Sequence, residues 1–285
     1  MFTQRKVTNT RNENGCVVGE ADNILSIYAP SLNAYLDHVK AAYPYPKQDK
    51  ASSRAKDGDF YAFNTFEEAQ DVYMNRPWEV TQFEEVDFSL HSPESAGGDV
   101  FYDVTGDYLD VGRFLDGEPE VFGNAYLGNP RGLFINVFAN VSSGYYISAT
   151  GLKRKQERIV ALIDWLESNQ IRTRFTGISN SGCDYSEIVL KDFHDPLNLN
   201  TIAVAFHPDF LRRIIFRVDE WSPTWRCGYG TSVTALKIDE QGLTIGIPSN
   251  QGEPKEIDRY FDGLIKQIEQ KIESGDAFGT LGELR

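Results

Sequence analysis

The clearest hydrophobic pattern runs from residue 133 to residue 179. The apolar run LFINVFANV begins at Leu133 and predicts a buried strand, and LKRKQERIVALIDWLESNQ, from Leu152, repeats apolar residues at helical spacing. The next run, IRTRFTGIS from Ile171, predicts a second strand. A strand, a crossover helix and a second strand in this order predict a right-handed parallel unit within an α/β sheet.

Further elements are predicted on both sides of this unit. Downstream, SEIVLKDF predicts a strand, and TIAVAF predicts either a strand or a short helix. PDFLRRIIFRVDEW predicts a helix that runs into a strand or into a buried end. ALKIDEQGLTIGIP predicts a hairpin. The stretch from Lys255 predicts a closing helix with a single apolar stripe. That stripe consists of Ile257, Phe261, Leu264, Ile265, Ile268 and Ile272.

Two helices are predicted nearer the N-terminus. One follows Pro30 and Ser31, and the other is capped by Asn64 or Thr65 and ends before Pro77. The polar stretch between them reads as an exposed linker. The sequence therefore divides into an N-terminal arm with a short helix and linker (1–56), an α/β core (57–252), and a C-terminal amphipathic helix and tail (253–285).

Charge and cysteine content narrow the possible partners and compartment. The 285 residues carry a net charge of −14, which disfavours direct binding to a nucleic-acid backbone and suits a basic protein partner. Cys16, Cys183 and Cys227 are too few and too scattered for a disulfide framework or a zinc site. With neither a signal-peptide core nor an apolar run of roughly 20 residues, the sequence predicts a cytoplasmic protein.

The candidate catalytic groups form no strong constellation. His194 and His207 lie beside Asp195 and Asp209, which would suit a metallohydrolase, but turn chemistry next to proline explains the same residues. Cys183 and nearby serines lack a nucleophile motif, and the glycines form no phosphate loop. The basic clusters KRKQER and FLRRIIFR are interpreted as solvated helix faces or local ion pairs. We therefore predict neither an enzyme nor a bound cofactor.

The stretch FINVFANVSSG and the helix and strand after it resemble the start of von Willebrand factor A domains. In that family an apolar strand ends in an Asp-x-Ser-x-Ser loop whose oxygens bind a divalent cation, so the resemblance implies a cation loop at this position. The matching positions here are Asn140, Ser142 and Gly144, so an amide replaces the carboxylate and one hydroxyl is missing. We expect a metal-free loop, unless Asp184 or Asp209 reaches across to complete a site.

A second resemblance covers residues Phe63 to Trp221. The series FNTFEEAQDVY, YLDVGRFLDGEPE and the strand with NVSSG resembles an uncharacterised domain of phage and mobile-element proteins. More narrowly, the chain is similar to Gabija anti-defence proteins, which bind and block a host nuclease complex and have no nuclease activity of their own. These resemblances imply a von Willebrand A-like sheet flanked by helices, with a degenerate cation loop, in a protein-binding inhibitor. A metal-dependent adhesion module and a hydrolase using His194 or His207 remain the alternatives.

Two aromatic loops are the candidate partner-binding segments. WSPTWRCGYGTS and AAYPYPK combine Trp, Tyr and Arg, the residue types most common at interface hot spots, with Pro and Gly. Packing of these aromatics into the core is the alternative, and exposed aromatics together with an arm would also suit a homo-oligomer. The candidate binding residues are Tyr43, Tyr45, Trp221, Trp225, Arg226 and Tyr229.

Overall fold

In the computed structural model the chain forms a mixed α/β fold, which confirms the predicted class. The structure describes residues 10–11, 15–21, 24–43, 62–80, 100–103, 108–109, 113, 122–125, 134–143, 147–169, 171–180, 184–221, 243–247, 253–274 and 279–282. The strands are β1 (Thr10–Arg11), β2 (Val17–Ala21), β3 (Ile24–Ala29), β4 (Val100–Asp103), β5 (Tyr108–Leu109), β6 (Phe122–Ala125), β7 (Phe134–Asn140), β8 (Arg172–Asn180), β9 (Asp184–Lys191), β10 (Leu243–Ile247) and β11 (Gly279–Gly282).

The helices occupy the positions that capping and apolar spacing predict. Ser31 caps the first helix and Thr65 the second, each side chain accepting a hydrogen bond from a backbone N–H one turn into its helix. TIAVAF is helical, in agreement with the second of its two alternatives. The helices are α1 (Leu32–Ala42), α2 (Phe66–Asn75), α3 (Ala149–Ser168), α4 (Leu199–Ala205), α5 (Phe216–Trp221) and α6 (Pro254–Ser274), with a 3-10 turn at Pro77–Val80 and a π-helical segment at Phe210–Ile215.

The main sheet has eight strands in the order β1-β2-β3-β9-β8-β7-β10-β11. β7 and β8 are parallel and are joined by α3, which confirms the predicted crossover unit. β10 lies between β7 and β11 and is parallel to both. The hairpin predicted around residue 241 is therefore wrong, because both hydrogen-bonding edges of β10 are taken by other strands. β4, β5 and β6 form a separate antiparallel sheet.

The predicted N-terminal arm is built into this sheet. β3 pairs in parallel with β9, β2 pairs with β3 and β1 pairs with β2, so three strands of the segment extend the sheet beyond the core strands. The α1 residues Tyr35, Leu36 and Val39 are fully buried and belong to the main hydrophobic cluster. Residues 17–43 thus share one core with the α/β unit.

The core lies between one face of the sheet and a continuous row of helices. Ile135, Val137 and Ala139 of β7 point to that face, and the α3 residues Ile159, Leu162, Ile163 and Leu166 pack over it. The stripe of α6 packs against α3, with Ile257, Phe261, Leu264, Ile265 and Ile268 buried and Ile272 partly buried. The closing helix therefore packs on the fold, as predicted.

A buried carboxylate joins the segment before α2 to the helices that follow α4. Asp209 accepts hydrogen bonds from the backbone N–H groups of Ala62 and Phe63, at 2.9 and 2.7 Å. It also forms an ion pair with Arg213 at 3.3 Å, and Arg213 donates to the carbonyl of Phe63. Because both ionic side chains are buried, the loss of either would remove a buried countercharge from the other.

We expect Asp209→Ala to lower the free energy of unfolding by about 3 to 5 kcal/mol, because it removes the buried countercharge of Arg213 and the acceptor of two backbone N–H groups. The matched control is Asp262→Ala, which removes a carboxylate that is 62% exposed and paired with Arg158 on the surface. That change should cost about 1 kcal/mol or less. Urea denaturation measures both, and equal losses would contradict an anchoring role for Asp209.

Candidate functional site

The loop after β7 is closed by hydrogen bonds among its own side chains. The amide oxygen of Asn140 accepts from the backbone N–H of Ser142 at 2.8 Å and from the Ser142 hydroxyl at 2.6 Å. Asn140, Ser142 and Ser143 are all buried. Two of the three positions that match the von Willebrand A cation loop therefore bind each other, and the third, Gly144, lies outside the described residues.

A buried lysine lies beneath this loop. Lys155 extends from the second turn of α3, is 4% exposed, and donates from Nζ to the backbone carbonyl of Asn140 at 2.8 Å. Burial lowers the pKa of Lys155 to about 7. The interpretation of KRKQER as a solvated face is wrong at this residue and at Gln156, which is also buried and donates to Ala203 O at 2.6 Å.

The apolar spacing of α3 was the signal that could have identified Lys155. The helix buries residues at 152, 155, 156, 159, 162, 163 and 166, and Lys155 falls on this stripe three residues after Leu152 and four before Ile159. A lysine on the core face of a helix has to be explained, since its ammonium loses hydration there. The charge of Lys155 suggests a solvated helix face, whereas its position in the helical repeat indicates the buried face.

The other basic cluster is buried as well. Arg212, Arg213 and Arg217 are each about as buried as core residues, so a solvated face is wrong for FLRRIIFR. Arg212 donates to Ile147 O at 2.8 Å, and Arg217 to Tyr43 O at 3.0 Å. Local ion pairing, the other interpretation, holds for Arg213 and Asp209. These guanidinium groups join the π-helical segment and α5 to neighbouring loops.

The two aspartates that could complete a cation site have other surroundings. Asp209 is held by Ala62, Phe63 and Arg213, as described above. Asp184 is fully buried at the start of β9, and its charge, together with burial, raises the pKa of Tyr43. Across the described part of the chain, no group of three or more His, Cys, Asp or Glu side chains is arranged to hold a metal ion. Within the described part of the loop, Asn140 and Ser142 therefore have no carboxylate grouped with them that could replace the missing anionic ligand.

The two candidate histidines lie in different environments. His194 is exposed in the turn after β9. His207 is largely enclosed: Nδ1 lies 2.8 Å from the Tyr73 hydroxyl and accepts from Asp209 N at 3.3 Å, and its ring packs against Phe63. Burial, together with the positive charges of Arg212 and Lys153, lowers the pKa of His207 to about 4. His207 is therefore neutral at pH 7 and holds α2 through Tyr73.

The predicted partner-binding aromatics are only partly described. Tyr43 is 8% exposed, its ring packs edge-on against His38, and burial raises its pKa to about 12. Packing in the core is therefore the interpretation that fits Tyr43. Trp221 ends α5, but its side chain lies outside the description, as do Tyr45, Trp225, Arg226 and Tyr229. The exposed aromatics of the described residues are Tyr28, Trp78 and Phe134, which the sequence analysis did not select.

Comparison with known proteins identifies a family without a described activity. The sequence model of a family described as "Domain of unknown function (DUF7192)" matches residues 6–273. No curated protein and no solved structure matches the chain. Among the helices within the described residues, none combines the length and apolar character that a membrane span requires.

Lys155 generates a testable pH dependence. In the unfolded chain its ammonium keeps its proton up to about pH 10.4, whereas the folded protein releases it near pH 7. Between these values the unfolded state binds more protons, so the free energy of unfolding should rise with pH, by at most about 1.4 kcal/mol per pH unit. We expect Lys155→Met to lose this rise in urea titrations between pH 7 and 8.5.

The matched control is Lys153→Met, which removes an exposed lysine from the same helix and should keep the wild-type slope. The upper pH limit avoids Cys16, whose pKa is raised to about 11 by burial and by Asp37 and which therefore acts in the opposite direction at higher pH. Identical slopes for wild type and Lys155→Met would show that Lys155 is not the titrating group.

Proposed function

The chain belongs to the DUF7192 family, and we propose that it is a non-enzymatic protein-binding protein that acts without a metal ion. The observation that carries this proposal is the closed loop after β7. At the carboxyl end of a parallel strand, where α/β proteins commonly bind ligands, the Asn140 and Ser142 side chains are hydrogen-bonded to each other, and Lys155 donates to the backbone carbonyl of Asn140. Because Asn140 and Ser142 are buried and bonded to each other, the described part of this loop presents no open coordination position, which favours binding through another surface of the protein.

The order of elements supports a von Willebrand A-like core for this function. An apolar strand, a polar loop, a long helix and a second, parallel strand follow one another as β7, residues 141–143, α3 and β8. This is the order that the resemblance implies for the start of that family. Asn140 and Ser142 occupy the matching loop positions but serve as a hydrogen-bonded turn.

The hydrolase alternative has less support from the geometry. His207 is neutral and already bound to Tyr73, and His194 lies exposed in a different turn. A general base needs a free, unprotonated nitrogen within reach of a substrate proton. Because Nδ1 of His207 accepts from the Asp209 N–H, the proton of the neutral ring lies on Nε2, and neither nitrogen is a free base. The geometry therefore favours the protein-binding function over the hydrolase.

Charge defines the class of partner. A protein with a net charge of −14 is attracted to basic proteins, and nucleases and helicases present basic surfaces to their nucleic acid. Together with the resemblance to anti-defence proteins, this makes a Gabija-type nuclease complex the first partner to test. In that proposal the chain blocks the complex by occupying its surface, in the cytoplasm of the host cell and as a homo-oligomer.

We expect the purified chain to form a stable complex with a Gabija-type nuclease complex in size-exclusion chromatography with light scattering, and to inhibit DNA cleavage when in molar excess. Light scattering of the chain alone measures its oligomeric state. Because the attraction is electrostatic, association should weaken as salt rises from 50 to 500 mM. Full cleavage in the presence of excess chain, with no co-elution at low salt, would refute this choice of partner.

We also expect isothermal titration calorimetry with Mg²⁺ or Mn²⁺ to show no saturable binding at the loop after β7. Ser142→Ala should instead lower the free energy of unfolding by about 1 kcal/mol, because it removes a buried hydrogen bond to Asn140. Ser168→Ala, at the exposed end of α3, is the control and should change little. Saturable heat that disappears in Ser142→Ala would favour the metal-dependent adhesion module.

A further inference from the structure

The two faces of the main sheet differ in how they are covered. The face opposite the helices carries Phe138 on β7 and Ile178 on β8, both buried. Farther along the same face, over β9 and β3, the side chains become accessible: Tyr185, Glu187 and Val189 are half-buried, and Tyr28 is 42% exposed. Glu187 lies at the boundary, paired in register with buried Ile178 on one side and with Tyr28 on the other.

Tyr28, Tyr185 and Glu187 form one cluster on this open part of the sheet. The rings of Tyr28 and Tyr185 are tilted by 58°, with their centroids 5.7 Å apart. The Tyr185 hydroxyl donates to Oε2 of Glu187 at 3.0 Å. Burial raises the pKa of Tyr28, and the nearby charge of Glu187 raises it further. Both phenols are therefore neutral at pH 7.

The carboxylate of Glu187 has no cation to balance it within the described part of the chain. Its one hydrogen-bond donor there is the Tyr185 hydroxyl, and no lysine, arginine or histidine of the described residues forms an ion pair with it. A half-buried carboxylate attracts a cation more strongly than an exposed one, because less water screens it. Two phenol rings next to it add the negative faces that bind ammonium and guanidinium groups.

From this geometry we infer that Tyr28, Tyr185 and Glu187 form a recognition site for one cationic side chain, an arginine or lysine of a basic partner protein. The guanidinium or ammonium group lies over the tilted rings and forms an ion pair with Glu187. The inference rests on the proposed protein-binding function and specifies the chemistry of the partner. An acidic or neutral occupant does not fit, because it would bring no positive charge to the carboxylate of a chain that is already acidic.

The test uses small probes on the full chain. With the tyrosine rings isotope-labelled, NMR titration with Nα-acetyl-arginine amide should give saturable shifts of the Tyr28 and Tyr185 signals. The neutral isostere Nα-acetyl-citrulline amide should give none. Glu187→Gln, which keeps an acceptor for the Tyr185 hydroxyl, should weaken arginine binding about tenfold, and Tyr28→Leu about fivefold. Trp78→Leu, which alters another exposed aromatic, should leave binding unchanged.

Thermal unfolding of each variant establishes that it is folded, and Glu187→Gln should retain the wild-type melting temperature within a few degrees because its side chain is half-buried and isosteric. No saturable shift with arginine, or equal shifts with arginine and citrulline, overturns the inference. A confirmed partner that binds Glu187→Gln and Tyr28→Leu as tightly as wild type also overturns it, while the protein-binding function stands. Arginine binding without capture of the nuclease complex would instead support the site and count against that partner.

Discussion

The hydrogen bond from Lys155 to the carbonyl of Asn140 determines what the end of β7 can do. It joins the second turn of α3 to Asn140, the last residue of β7, so the helix and the loop after β7 are held in a fixed relative position. It also places a positive charge, or a titrating amine, directly below the loop. A divalent cation brought to the same loop would meet electrostatic repulsion from Lys155 and would have to break the Asn140–Ser142 hydrogen bonds. The conformation of the loop is therefore fixed by Asn140, Ser142 and Lys155 and needs no metal ion.

Buried charges perform similar work elsewhere in the fold. Asp209 and Arg213 hold residues 62–63 ahead of α2, and the Lys191 ammonium lies 2.9 Å from Glu167 at the other end of the sheet. Thr173 donates to the same Glu167 carboxylate through its backbone N–H and its hydroxyl. Burying such groups costs solvation, so they add little net stability, but each has a partner that only the native arrangement supplies. They connect segments that are far apart in the sequence or in different elements: residues 62–63 with the π-helical segment, and α3 with β8 and β9.

The sequence predicts well those elements whose signals are local. α1, α2, α3 and α6 follow from caps and 3,4 spacing, and β7 and β8 follow from apolar runs flanking a helix. Elements defined by distant pairing are predicted poorly. β10 reads as half of a hairpin because its true neighbours, β7 and β11, are not next to it in the apolar pattern. The pairing of β3 with β9 spans about 160 residues and has no local signature, so the N-terminal segment reads as an arm.

Prediction of the candidate site is limited in the same way, because local patterns are visible in the sequence and contacts between distant residues are not. The sequence identifies the loop and the missing carboxylate at Asn140, because these depend on residue types at fixed spacing. The spacing of α3 also places Lys155 on the apolar stripe, but the sequence does not reveal that Tyr43 is buried, because its burial depends on which elements pack above it. Nor does it bring Tyr28 next to Glu187, since that contact exists only once β3 joins β9.

The open part of the sheet lies where the N-terminal strands join it. β2 and β3 extend the sheet beside β9, and on the face opposite the helices the side chains of β3 and β9 stay accessible. At the strand ends, the loop after β7 is filled by its own hydrogen bonds and by Lys155. The recognition site that we propose lies on the sheet face, where Glu187 has no ion-pair partner among the described residues and two phenol rings lie beside it. The same extension that makes residues 17–43 part of the core brings Tyr28 of β3 next to Glu187 of β9.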